Sequence, residues 1–574
     1  MQENNFGLKQ TILLLFFLTT LFGFSQDKYP EGYFRNPLDI APIIAGTFGE
    51  LRSNHFHSGI DIKTQGKQGL KIYATADGYV SRIKVAQYGF GKAIYINHPN
   101  GFTTVYAHLS RYSDKIQKYV KSIQYKKEDY QTGSLFIKKN KFPVKKGEII
   151  AFSGDSGSSG APHLHYEIRN TKTEEILNPL LFGLKPDDTT APSIQSLKVY
   201  PLNNSSRINL QNKSFILPLK SSSKGKYIAD RISAFGMIGF GINVFDRLDK
   251  ALNKNGVYSL EMLVNGKRFY YHNVETFSFP ESKFINLHID YEHYKKYKRK
   301  YQKTYKETAN KLSTYKNLVN NGIIDIKNGL NYTVEIIAKD YNGNTSSLKI
   351  PIIGKASNSL FTQKIDTTAF KIVAKDFQKF KNKNVTVAFP KNTFYEDFYL
   401  DFKVDNGVAQ IHTPTIPLDK SFTLTFNVSK YSEADKEQLY IANMENPKYP
   451  SFQNTRKKDS TFYTTTKTLG KYSLVADKLA PEIKLLYFKD QQWISELNTI
   501  KVKISDNGSG IKNYRATIDG KWILMEYNHK NKILTYNFSD KKLVGSKHIF
   551  KIVVSDNVGN TNSLSTTFFK KQVN

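Results

Sequence analysis

The chain of 574 residues contains no cysteine. Disulfides, thiolate-ligated zinc and lipid attachment through a cysteine sulfur are therefore excluded. Long apolar runs are nearly absent as well. The one candidate, residues 12–22, follows Lys9 and precedes Gly23-Phe24-Ser25, with small residues at the minus-three and minus-one positions. A membrane span takes roughly twenty apolar residues, so this run is too short to cross and instead predicts a cleaved secretory signal over 1–25. The mature chain is expected to begin near Gln26, with no integral membrane span after signal removal.

Acidic residues are scarce relative to basic ones, 50 against 83, which leaves a formal net charge of +33. Such an excess favours polyanions. No nucleic-acid-binding motif accompanies the widely spread lysines, so nucleic acid is not an expected partner. For an exported chain the anions at hand are cell-wall carboxylates and envelope sugars. The same charge is equally compatible with a solvated basic surface.

Histidine is unevenly distributed. Six of the twelve fall between His55 and His165. The stretch 154–169 reads GDSGSSGAPHLHYEIR, in which a glycine-rich turn delivers His163 and His165 to one face of a strand. Upstream, His57-Ser-Gly-Ile-Asp61 offers a nitrogen and a carboxylate oxygen at an even spacing, again on one face of extended chain. Tyr106-Ala-His108-Leu109 adds a third histidine-bearing strand. Two imidazoles and one carboxylate form a hard-to-borderline donor set suited to catalytic zinc, with a fourth position left to water. His55 stands two residues before His57, but the spacing of four to Asp61 selects His57. Tyr106 is expected on the same side as His108, either assisting it or packing in the core.

HSGID, YAHL and PHLHYE, in this order, resemble the signature blocks of the lysostaphin and LytM type zinc metallopeptidases, which cut the peptide part of peptidoglycan. Gly89-Phe-Gly-Lys92, Asn97-His-Pro-Asn-Gly101 and Val144-Lys-Lys-Gly147 also match. Three blocks in order, with a glycine turn before the last, are far more specific than any one alone. The resemblance covers roughly residues 48–178. It implies Zn2+ on His57, Asp61 and His165, with His108 and His163 as unligated catalytic histidines. It also implies a β-sheet of the duplicated hybrid motif type whose open face forms a substrate groove. The family function is that of a peptidoglycan endopeptidase; a relative that keeps the fold but only binds or regulates the wall is the alternative. The chain departs from the family in the long segment 110–143, and in Ala161 where glycine is commoner. Arg111, Lys115, Lys118, Lys121, Lys126 and Lys127 make that segment basic, either a groove cap or a solvated excursion.

Alternating apolar residues and Gly or Asn turns predict a mainly β chain beyond the peptidase-like region, 26–186. Asp188-Thr-Thr-Ala-Pro and Asp477-Lys-Leu-Ala-Pro open two similar units, and Asp340-Tyr-Asn-Gly-Asn and Asp556-Asn-Val-Gly-Asn close them. Residues 187–353 and 476–574 are thus expected to be repeated immunoglobulin-like β-sandwiches, with another β-rich domain over 354–475. The Asp-rich turns near Asp340 and Asp506 lack the full ligand set of a calcium loop and read as turn chemistry. Tyr291, Tyr294, Tyr297, Tyr301 and Tyr305 recur at helical spacing among lysines, which predicts a basic helix with a tyrosine stripe over 291–316.

Overall fold

The computed structural model describes residues 28–356 and 367–571. The expected signal segment lies outside the described residues. The chain is mainly β, and among the described residues no helix is long and apolar enough to cross a membrane.

The peptidase-like region begins with β1 (Ile44–Gly46), β2 (Ile60–Lys63), β3 (Lys71–Tyr73), β4 (Gly78–Val85), β5 (Lys92–Asn97), β6 (Phe102–Ala107) and β7 (Leu109–Tyr112). It continues through helix α1 (Asp114–Lys127), β8 (Gly133–Phe136), β9 (Pro143–Val144), β10 (Ile149–Ser153), β11 (His163–Asn170) and β12 (Ile176–Leu177). The main sheet runs β1-β2-β11-β6-β5-β4-β8, and a small sheet β3-β10-β7 packs beside it. β5 and β6 form a hairpin around the Pro99-Asn100-Gly101 turn. HSGID, PHLHYE and YAHL therefore arrive side by side on β2, β11 and the end of β6. Ile60, Ile62, Ile94, Ile96, Leu164 and Tyr166 are buried beneath them. Burial of this kind stabilises by roughly 25 cal/mol per Å² of apolar surface and fixes the register, since a slip of one residue would turn both HLH imidazoles away.

That core extends beyond the peptidase-like region. Phe48 and Phe56 pack on Phe277, and β12 pairs with the strand Thr276–Phe277. Helix α1 inserts Ile116 and Val120 into the same cluster and meets Trp522 through Tyr125. Of its lysines, Lys121 pairs with Asp540 while Lys115, Lys118, Lys126 and Lys127 are exposed, and Glu128 at the C-cap pairs with Arg515. Lys92 pairs with Glu526 at 2.7 Å and Lys530 with Asp155 at 2.7 Å, so the last strands of the chain lie against the peptidase sheet.

Apart from Thr276–Phe277, the strands from Ser193–Pro201 to Thr345–Gly354 join into a 13-stranded sheet through the long strand Ile232–Phe245. Residues 371–476 build two five-stranded sheets and a strand pair, and residues 482–569 build a four- and a five-stranded sheet about one core. The helix expected over 291–316 is much shorter. It spans Tyr291–Tyr297, capped by Asp290 and ended by Lys298 in the left-handed conformation. The like charges of Lys295, Lys296, Lys298 and Arg299 disfavour continuing it, and burial draws the remaining tyrosines elsewhere. Tyr301 is fully buried and bonds Ser196 at 2.8 Å, while Tyr305 is buried against Tyr200.

Candidate active site

The structure brings together all five residues selected from the sequence. His57 lies on the loop before β2, where its Nδ1–H donates to the Thr47 carbonyl at 2.8 Å and turns Nε2 inward. Nε2 stands 3.1 Å from Asp61 Oδ1 and 3.1 Å from His165 Nδ1, and the remaining edge, His165 Nδ1 to Asp61 Oδ1, is 3.0 Å. Three buried donor atoms thus form a near-equilateral triangle able to hold a metal ion. His55 is exposed, and its imidazole bonds the neighbouring Asn54 at 2.7 Å.

The triangle needs close strand approach. A Cβ on Gly59 would stand 2.4 Å from the Tyr166 carbonyl, so the glycine of HSGID lets the β2 entry lie against β11. Gly157, at φ +72°, seats the glycine turn against Gly89 and Gly91 in the same way. Phe90 in that contact stacks on the His165 ring at 5.1 Å.

The second nitrogen of His165 identifies a residue that sequence reasoning did not assign. Nε2 lies 3.0 Å from Glu167 Oε1, and Glu167 Oε2 accepts from Arg169 Nε at 2.7 Å. Glu167 and Arg169 are both buried. A carboxylate behind a ligating imidazole fixes its tautomer and raises its basicity. Histidine, glutamate and arginine at 165, 167 and 169 share one strand face, and that even spacing was the available signal. Burial opposes ionisation of Glu167, but Arg169 and His165 outweigh it and bring the carboxyl to about 2. Burial likewise works against the Asp61 carboxylate, and His57, His163 and His165 together hold it well below the usual range. Arg52 reaches the outer oxygen of Asp61, Oδ2, at 3.1 Å.

His163 sits at the mouth of the triangle. Its Nδ1 faces the Ala161 carbonyl at 2.8 Å, which leaves Nε2, 3.3 Å from Asp61 Oδ1, on the site side. His108 lies across from it, with ring centroids 4.8 Å apart, and its Nδ1 bonds the Ser156 carbonyl at 2.9 Å. Burial, then the neighbouring His165 and His163, push His108 down to about 3. It is therefore a neutral imidazole with a free Nε2 at neutral pH. Tyr106 does not share this face. It is fully buried, bonds Thr75 and Thr104, and pairs in register with Tyr166 on the opposite side of the sheet. His108 escapes the same fate because its backbone is left-handed, φ 59°, which breaks the alternation and aims the ring back toward His165.

In the metal-free protein, burial lowers the pKa of His165, but hydrogen bonds to Asp61 and Glu167 prevail and raise it to about 9. A ligating imidazole must be deprotonated. Loading the site at pH 7 should therefore release a proton, and affinity should rise by about tenfold per pH unit toward pH 9. Dye-monitored proton release on zinc addition in weak buffer measures this; no release at pH 7 would show that His165 is already neutral.

Residues 55–125 match the family model of Peptidase family M23, and residues 371–477 match that of the Zu5-like domain. Over 167 residues the chain is 34% identical to the DD-carboxypeptidase/endopeptidase Mpg of Neisseria meningitidis serogroup B, an overlap of 29% of either chain. It is 28% identical over 160 residues to the peptidoglycan DD-endopeptidase ShyC of Vibrio cholerae, covering 25% of this chain and 30% of that one. The chain thus spans under a third of the length of these curated relatives. The catalytic domain of lysostaphin from Staphylococcus simulans is 22% identical, with a TM-score of 0.19, and covers 25% of this chain and 93% of that one. The segment matched to Peptidase family M23 holds His57, Asp61 and His108, and the region that also carries His163 and His165 is similar to LytM-type peptidases.

Proposed function

We propose that the chain is an exported zinc endopeptidase that hydrolyses peptide bonds in peptidoglycan cross-links or stem peptides. The observation that carries this reading is the closed triangle of His57 Nε2, Asp61 Oδ1 and His165 Nδ1 with two further imidazoles at its mouth. Its edges of 3.0–3.1 Å are close to the roughly 3.3 Å that ligand bonds of about 2.0–2.1 Å at tetrahedral angles require, so the donor set fits zinc. Zinc, when bound, supplies Lewis acidity toward a water and the scissile carbonyl. The chain's own residues handle the protons. His163 and His108 each tie Nδ1 to a backbone carbonyl and keep Nε2 open, so either accepts a proton from the attacking water. The resulting imidazolium donates to the developing oxyanion and then to the leaving amine. Glu167 holds His165 in the tautomer that leaves Nδ1 available to the metal.

Digestion of isolated peptidoglycan, with zinc content measured on the same protein and products identified by mass spectrometry, tests this reading. Zinc-loaded protein that binds peptidoglycan and leaves it uncut would favour the wall-binding alternative.

The net charge of +33 supports peptidoglycan or another anionic envelope polymer as partner. Attachment through exposed lysines should weaken between low and high salt, because separations beyond about 8 Å are largely screened at physiological ionic strength. Lys296, Lys298 and Arg299 are exposed, and their replacement by Gln should lower retention in a pull-down. Retention unchanged by salt and by the triple variant would leave the basic surface without a binding role.

A further inference from the structure

Away from the peptidase site, six aspartates gather into two groups of three that mirror each other. Asp188, Asp246 and Asp340 bring carboxylate oxygens within 4.8 Å of one another, and so do Asp477, Asp506 and Asp556. The first member of each stands before the Ala-Pro that opens a repeat, and the third begins the Gly-Asn turn near its end. The second follows a strand, Ile232–Phe245 in one repeat and Thr499–Ser505 in the other. Hydrogen bonding repeats too. The Asn344 amide reaches Asp340 Oδ2 at 2.7 Å and the Asp188 carbonyl at 3.2 Å. The Asn560 amide reaches Asp556 Oδ2 at 2.7 Å and the Asp477 carbonyl at 3.0 Å. Turns that look self-contained in the sequence therefore converge, twice, on a carboxylate from elsewhere.

Asp246 gives the sharper indication. It is 2% exposed, yet its Oδ1 is buried without a hydrogen-bond partner among the described residues. An unsatisfied buried oxygen is costly, more so when charged. Together with Asp188 it borders a cavity of about 20 Å³, room for a single ion or water. No ion pair among the described residues reaches the triad, and Lys250 pairs with the adjacent Asp187 instead. In a chain with so many lysines, leaving three carboxylates together without one calls for another counter-charge.

We propose that the triad of Asp188, Asp246 and Asp340 is a calcium site. Hard oxygen donors without histidine or cysteine suit calcium over zinc, and calcium tolerates irregular carboxylate geometry better than magnesium does. In the second triad the backbone N–H groups of Ser509, Gly508, Gly510 and Gly559 already donate to the carboxylates. The site lies where the first repeat meets the preceding part of the chain: Tyr341 donates to the Leu180 carbonyl at 2.7 Å and Asn342 to the Pro186 carbonyl at 3.1 Å. An ion there clamps the opening segment of the repeat to its closing turn and stiffens the junction.

The test uses the full chain, zinc-loaded and freed of calcium with a calcium-selective chelator. Equilibrium dialysis at about 5 mM calcium, several times the Kd of about 10⁻⁴–10⁻³ M of extracellular modules, should give one calcium ion per chain. The melting temperature should rise with calcium concentration, as for any ligand of the native state. Asp246→Asn should lose the ion along with the thermal response, and Asp506→Asn should keep both. Zinc content should stay constant. Without calcium, Asp246→Asn should melt no lower than the parent, because it removes a crowded carboxyl, and this separates ion loss from misfolding. Absence of bound calcium in the parent, or undiminished calcium in folded Asp246→Asn, would overturn the proposal.

Discussion

Alanine at His57, Asp61 or His165 is expected to abolish zinc occupancy and peptidoglycan turnover together, whereas alanine at His108 or His163 should spare the zinc and lower turnover by about 10²–10⁴-fold. The separation follows from geometry. The first three contribute the mutually close donor atoms, 3.0–3.1 Å apart, so each substitution deletes a corner of the triangle. His108 and His163 stand outside it with their far nitrogens anchored on Ser156 and Ala161 carbonyls, so their loss removes a proton acceptor from the transition state and leaves the ground-state donor set intact. Metal analysis and a peptidoglycan-release assay on the five variants, with circular dichroism to establish folding, measure both quantities. Zinc lost from folded His163→Ala but kept in His165→Ala would mean that the two histidines of HLH exchange roles.

Glu167→Ala should have the next largest effect, and on two quantities at once. Zinc affinity should fall by about 10–100-fold, since His165 loses the carboxylate that sets its tautomer. Stability should fall by about 3–5 kcal/mol, because Arg169, 4% exposed, keeps only the half-exposed Glu174 as a carboxylate partner. Glu167→Gln retains an acceptor for His165 and should recover part of the zinc affinity while leaving Arg169 undercompensated. Competition with a chromophoric chelator and thermal melts of the same variants read the two effects separately. A lowered melting temperature with unchanged zinc affinity in Glu167→Ala would reduce the residue to a structural ion-pair partner.

Much of this site is legible because strands alternate. Residues 163 and 165, or 57 and 61, must share a face wherever the chain is extended, and glycines at 59 and 157 mark where backbones touch. The same rule misplaces Tyr106, which alternation puts beside His108. A single left-handed residue at 108 reverses the side, and histidine carries no local signature for that conformation. The helix expected over 291–316 stops early for a different reason: periodicity registers the spacing of tyrosines but not the competing pull of the core on Tyr301 and Tyr305. The aspartate triads escape a linear reading altogether. Each turn by itself lacks a ligand set, and the missing carboxylate comes from a strand end many residues away.

The packing of the last strands on the peptidase sheet bears on the order in which the molecule can be completed. Lys92 meets Glu526 across 434 positions of sequence, Lys121 meets Asp540 across 419, and Glu128 meets Arg515 across 387. Closing loops of such length costs entropy before any contact compensates, and folding slows as contacts become more remote. A chain emerging from its N-terminal end can assemble the β2-β11-β6 strands early, but α1 waits with one flank uncovered until residue 540 is out. Tyr125, which rests on Trp522, is among the groups bared in that interval. The peptidase site is thus legible in the first third of the sequence, yet the surface beside it is finished by the final third.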